Sequence, residues 1–221
     1  MKTLKQYIGK LPQTLTLDAN SSPILVTDEI QTSNITIKKD TNVTIVAILN
    51  KGWEELCKLN FNFEGEDSTL TFIAFIIAKD TEKFPFETIS NHETERTNGY
   101  YYIRAAQFDK SIVDYRGVLV IKPGAQITDS YLAHHTLMLS KNAKTYTVPS
   151  LEIEADDVKA GHAATMGKVD EELLFYLQTR GVNKSEAEEM LIQSFMETDL
   201  EKIPDEEIRK ILAEEIEKSL S

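Results

Sequence analysis

Apolar residues occupy every second position through residues 34–38, as Ile35 and Ile37, and again through residues 58–64, as Leu59, Phe61 and Phe63. That period sets one face of a strand against a core and the other in water. Residues 42–49 and 69–78 begin in alternation and then become continuously apolar, as strands covered on both faces do. Leu15-Thr16-Leu17 is also strand-like, and further strands are expected at 100–106, 111–115, 118–122, 137–140 and 150–154. Asn98-Gly99, residues 114–117 and Lys122-Pro123-Gly124 read as turns between them. Many short strands at a spacing of ~8–12 residues fit a sandwich, a barrel or a β-solenoid, and the period does not choose among the three.

The pattern changes near Val169. Beyond it the apolar positions recur at helical spacing, in three segments. Asp170 is placed to N-cap a helix carrying Leu173, Leu174 and Leu177, with Gly181 as its C′ residue. Ser185 and Glu188 fit a capping box, ahead of a stripe of Ala187, Met190, Leu191 and Ser194/Phe195. Pro204 suits the first turn of a third helix with Ile208, Ile211, Leu212 and Ile216 on its apolar face. A β-rich body at 1–168 followed by a helical segment at 169–221 is the expected organisation.

Composition sharpens this division. The 221 residues carry 36 Asp+Glu against 24 Lys+Arg, a formal charge of −12, and residues 168–221 contribute −8 of it. So acidic a chain lacks the cationic face that binds phosphate backbones, which argues against nucleic acid as a partner. One cysteine excludes a disulfide framework and any all-cysteine metal site built from one chain. The first seven residues show no apolar leader, and the run 70–78 is far shorter than the ~20 residues of a membrane span. No membrane contact and a cytoplasmic location are the expectation.

Phosphate loops, paired zinc-protease histidines and the nucleophile elbow are all missing from the sequence. Cys57, without a neighbouring Cys or His, reads as a small buried hydrophobe. His92 sits in the polar stretch Ser90-Asn91-His92-Glu93-Thr94 and reads as an exposed loop. His134, His135 and His162 each adjoin strand-like sequence. A neutral imidazole is a competent ligand for iron or zinc, although as lone histidines each reads first as an ordinary hydrogen-bonded residue. The chain is expected not to be an enzyme.

The stretch from Leu151-Glu152-Ile153 through Ala155-Asp156-Asp157-Val158-Lys159-Ala160-Gly161-His162 to Met166-Gly167, followed by Asp170-Glu171-Glu172 and Phe175-Tyr176-Leu177, resembles the C-terminal signature of the SufB/SufD family of iron–sulfur cluster assembly proteins. Tyr115-Arg116-Gly117, residues 124–129, Leu137-Met138-Leu139-Ser140 and residues 144–149 match the same family in order, so that the likeness spans roughly residues 90–200. It implies a right-handed parallel β-helix with a C-terminal helical segment. It further implies that the C-terminal helices dock the ABC-type ATPase SufC. The β-helix would pair with a SufB-type chain or a second copy, with a transient iron–sulfur cluster shared at the seam. His162 takes the place of the family's interface histidine and is the first candidate for a cluster or metal ligand; His135, one coil earlier, is the second. The SufB branch has a Cys on the coil of His135 and a Glu directly after the motif His. Here His135 and Ala163 stand there, which points to the SufD branch, while Ala160 replaces a Cys found in some of its members. Family members are also longer, with an N-terminal helical region. The expected role is that of a non-catalytic SufD-like scaffold in a SUF complex; the alternative is a β-solenoid interaction module without a cluster role.

Overall fold

A computed structural model of the protein describes residues 5–220. Residues 1–4 and 221 lie outside it, and with them the outer ends of both expected stretches and most of the segment read for a leader. The described chain runs β1 (Lys5–Lys10), β2 (Thr14–Leu17), β3 (Ile24–Glu29), β4 (Ser33–Ile37), β5 (Asn42–Leu49), β6 (Cys57–Phe63), β7 (Thr69–Ala78), β8 (Lys83–His92), β9 (Asn98–Gln107), β10 (Ile112–Ile121), β11 (Thr128–Met138), β12 (Lys144–Ile153) and β13 (Val158–Gly167). Three helices follow, α1 (Glu171–Thr179), α2 (Lys184–Glu197) and α3 (Glu206–Leu220), with a 3-10 turn at Leu200–Lys202 between the last two. Odd-numbered strands form one parallel sheet and even-numbered strands form the other, each in chain order. The chain is therefore a β-solenoid, each turn adding one strand to each sheet, and the solenoid alternative of the three is the one realised.

Turn length follows strand length, from six and five residues in β3 and β4 to ten each in β7 and β8. Ile24 pairs with Thr44 twenty residues on, whereas Thr69 pairs with Asn98 twenty-nine residues on. The corners leading from β2, β4, β6, β8 and β10 to the next odd strand each hold a residue at positive φ, namely Asn20, Asp40, Asp67, Arg96 and Ile127. Asn and Asp reach that left-handed region at low cost because their side chains bond locally. Corners also stack through the backbone, as Asp40 N–H donates to Glu66 O (3.0 Å) and Ile127 N–H to Asp157 O (2.6 Å).

Two cores result. Inside the coil, Phe61, Phe63, Phe72, Phe84, Phe86, Tyr101 and Tyr115 are fully buried in one continuous cluster. On the outer face of the odd-strand sheet, Val46, Ile48, Ile73, Phe75, Ile77, Ala106 and Leu137 pack against Ile192, Met196, Ile208, Leu212 and Ile216 of α2 and α3. The unbroken apolar runs in β5 and β7 have this origin, with lumen on one side and helices on the other.

Several expected boundaries move. β8 and β13 were not expected as strands at all, and residues 137–140 mark only the end of β11. Residues 112–121 are a single strand: Gly117, read as part of a turn, lies mid-strand, and is glycine there because a Cβ would stand 2.0 Å from Leu132 Cδ1. Asn98-Gly99 opens β9 instead of turning. Asp170 and Gly181 take the capping places expected of them. The second cap is Asn183, whose side chain accepts from Glu186 N–H, not Ser185. Asp205 caps α3 through Ile208 N–H, leaving Pro204 ahead of the cap instead of in the first turn. The buried faces rotate accordingly, and Met190 and Ile211 point to solvent.

Candidate functional site

The site lies where the solenoid stops. β12 and β13 are the outermost strands of their sheets, each ten residues long, and each has a strand neighbour on one side only. Strand parity assigns their faces. Leu132 belongs to the lumenal core, and its register partner is His162, which therefore stands on the lumenal face of β13. His134, two positions along β11, pairs with Ala164 and also faces the lumen. Gly117 faces Leu132 across the coil and Tyr115 meets His134 edge-on at 5.2 Å. The same offset one rung up places Pro149 across from His162 and Thr147 across from Ala164.

The two expected ligands are not brought together. His162 is exposed at the mouth of the lumen, whereas His135 lies on the outer face of the same sheet, its Nδ1 2.7 Å from Thr165 Oγ1. Burial pushes the His135 imidazole below its ordinary pKa, helped by the Arg104 guanidinium and opposed by Asp199.

The neighbouring histidine, noted in the sequence beside strand-like residues but not chosen as a ligand, is the lumenal one. His134 is buried, and burial together with the adjacent His135 pulls its pKa down to about 4. Its Nε2 is 3.1 Å from Thr136 Oγ1, while Nδ1 has no hydrogen-bond partner. Thr147 Oγ1, beside the same Tyr115 ring in register, is also buried without a partner. The signal was the alternation Leu132, His134, Thr136, which marks one face of one strand.

His92 is a correction. It is no loop residue but the last residue of β8, fully buried, stacked on Phe63 at 4.3 Å between ring centroids. Ser90 Oγ lies 2.9 Å from its Nε2 and Thr97 Oγ1 2.8 Å from its Nδ1. Cys57 is half-buried against the lumenal core, and burial holds its thiol above the ordinary pKa.

Among the described residues, no group of three or more His, Cys, Asp or Glu side chains is placed to hold a metal. Imidazoles at the lumen mouth suit iron, but they leave most of a cluster's coordination to thiolates or sulfide from elsewhere. Around them, Tyr146, Val148, Ile153 and Met166 on the two last strands are exposed. Leu173, Phe175 and Tyr176 on α1 are also exposed, and α1 has no buried residue.

Residues 27–195 match the family model for the SufBD core domain of SUF-system iron–sulfur cluster assembly. The chain is a member of the SufB/SufD family. It is SufD-like: it is 32% identical over 146 residues to the iron–sulfur cluster assembly protein SufD of Escherichia coli, covering 66% of this chain and 34% of that one. To SufD of Bacillus subtilis it is 34% identical over 142 residues, covering 64% of this chain and 32% of the relative. A SufBD family protein of Mycobacterium leprae is 37% identical over 106 residues, 48% of this chain and 27% of its own. The chain thus spans about a third of the length of the SufD proteins it matches. The SufBD core runs from β3 into α2, so it includes both last strands and His162. No helix among the described residues is long and apolar enough to cross a membrane.

Proposed function

We propose that this SufD-like chain is a non-catalytic component of a cytosolic SUF complex, pairing through β12 and β13 with a SufB-type chain or a second copy of itself. The observation that carries the reading is the pair of ten-residue edge strands with exposed Tyr146, Val148, Ile153 and Met166 beside His162. An open sheet edge with apolar flanks lowers its free energy by adding a strand from a partner. At the seam, His162 contributes an imidazole, and partner thiolates or sulfide complete the coordination of a transient cluster, which is the complex's product and not a resident cofactor.

The ATPase of the complex, a SufC-type subunit, docks on α1. Leu173, Phe175 and Tyr176 supply the apolar anchor, and Glu171 and Glu172 in the first turn supply a charge complementary to a basic partner. Movement of α1 reaches the solenoid through α2, whose buried face rests on the odd-strand sheet.

Two measurements test this. The chain should retain a SufC-type ATPase in low-salt co-purification, and Phe175→Asp should abolish retention. In the paired complex, anaerobic reconstitution with iron and sulfide should give the visible absorption of a cluster, reduced at least several-fold by His162→Ala. Unchanged clusters in that variant would leave the chain an interaction module without a cluster role.

A further inference from the structure

Two buried polar atoms without partners lie on the same stretch of lumen wall, one on each sheet, and both flank Tyr115. A buried polar atom without a partner is destabilising, so a site that keeps two of them is shaped around something that satisfies them. We infer that the lumen mouth binds a divalent transition cation, with His134 Nδ1 as the inner ligand, His162 as the outer ligand and the Thr147 hydroxyl on the third side. This rests on reading the chain as an iron-handling protein, but it differs in placing the ion inside the coil of this chain, where His134 and Thr147 hold it without a partner.

The geometry fits. His134 and His162 share the lumenal face of adjacent strands, two positions out of register. Strand spacing of about 4.8 Å and an offset of about 6.6 Å put their Cα atoms roughly 8 Å apart, which two imidazoles can bridge through one ion. Ala164, beside His134 and opposite Thr147, offers only a methyl group at the centre of this frame. His134 Nε2 lies 3.1 Å from Thr136 Oγ1, and binding at Nδ1 uses the tautomer in which Nε2–H donates to that hydroxyl, the way ligating histidines are oriented by an outer partner. The two remaining sides open to solvent and toward the proposed seam, where incoming sulfide or a partner ligand would enter.

The test uses the full chain alone and Co2+ as the probe for a ferrous site. Anaerobic titration should give visible d–d absorption saturating at one ion per chain. His134→Phe, which replaces the orphaned imidazole by an apolar ring of similar size, should weaken binding by at least the ~10-fold that even a second-shell substitution costs, and His162→Ala should weaken it likewise. His135→Ala, on the opposite face, should leave it unchanged. In the wild-type chain, Zn2+ should shift the His134 ring-nitrogen NMR resonance and leave that of His92 in place, a readout that stands even where His134→Phe does not fold. Failure of wild type to bind, His134→Phe binding like wild type, or a stationary His134 resonance would each overturn the inference. If the paired complex still assembles clusters in that case, the assembly role survives without the lumenal site. If Co2+ binding behaves as expected and no ATPase or partner is retained, the site survives and the assembly role falls.

Discussion

Two residues show how single positions store cost in this coil. His92 is surrounded by neutral groups only, Phe63, Ser90, Thr97 and the Tyr101 hydroxyl that donates to Ser90, and burial alone brings its pKa down to about 3. An unfolded imidazole takes up a proton below about pH 6.5, so between 6.5 and 3 the unfolded state binds the proton that the folded state refuses. Stability from this group is whole above that window and falls with pH inside it, by about 1.4 kcal/mol per unit. Urea unfolding from pH 6.5 to 4.5 should therefore show wild type losing stability more steeply than His92→Gln, by up to that slope; parallel lines would refute the assignment. Ile127 is the other case. A β-branched side chain at φ 60° is an outlier where Asn20, Asp40 and Asp67 occupy the equivalent corners, and left-handed backbone costs an ordinary L-residue about 1–2 kcal/mol. Ile127 is also exposed, so little packing is lost on replacement. Ile127→Asn should raise Tm by about 2–4 °C in a chain of this size. No rise would mean that the corner packing, and not φ, governs the position.

Helix attachment is the question at the scale of elements. Arg104, on the outer face of β9, donates to the Asp199 carboxylate in a pair that is buried on both sides, and its Nη1 donates to Phe195 O at 3.0 Å. Its guanidinium lies 4.9 Å from the Phe195 ring centroid, while Lys202 reaches Asp199 at 3.4 Å and sits 4.4 Å from the Tyr102 ring. This polar clamp fixes the turn between α2 and α3 to the solenoid. Removing one partner strands a buried charge, which costs about 3–5 kcal/mol. Asp199→Ala should lower stability by that amount and expose residues 184–220 to limited proteolysis before the strands are cut. If the two parts remain equally resistant, the clamp does not hold the helices. The sequence made strands legible only where their inward positions are apolar. β4 and β6 follow that rule, but β8 alternates just as strictly with Thr88, Ser90 and His92 facing in, so the polarity of the lumen concealed a strand and made a buried histidine look like loop. Gly117 split another in two, since nothing local distinguishes a glycine that makes room for Leu132 from one that turns the chain. Helix existence was legible from spacing and caps; which stripe is buried was not, because Ile192 and Met196 were selected by the shape of the sheet they meet.

At the scale of the molecule, the same arithmetic of faces decides where a partner can go. The odd-strand sheet is covered by α2 and α3 over β5 and β7, so helices shield that flank, while the last rung shows apolar side chains on both its faces, Tyr146 and Val148 outward, Ile153 and Met166 toward the lumen. Natural edge strands are ordinarily blunted by lysine or proline. On β13 Lys159 faces outward near the start, but Gly161, Ala163 and Thr165 follow it on that face, small residues that let another backbone approach. Pro149 is the one proline in β12, and it faces inward across from His162. Placing charge on this edge should thus remove pairing without disturbing the coil beneath, because both substituted positions are already exposed. Val148→Lys together with Met166→Lys should convert a paired species to a single chain in native mass spectrometry, with Tm changed by no more than about 2 °C, as expected for exposed sites. The same double variant leaves α1 untouched, so it should still retain the ATPase. Loss of pairing with retained ATPase would separate the seam from the docking helix; persistence of the pair would show that the edge of the solenoid is not where the second chain binds.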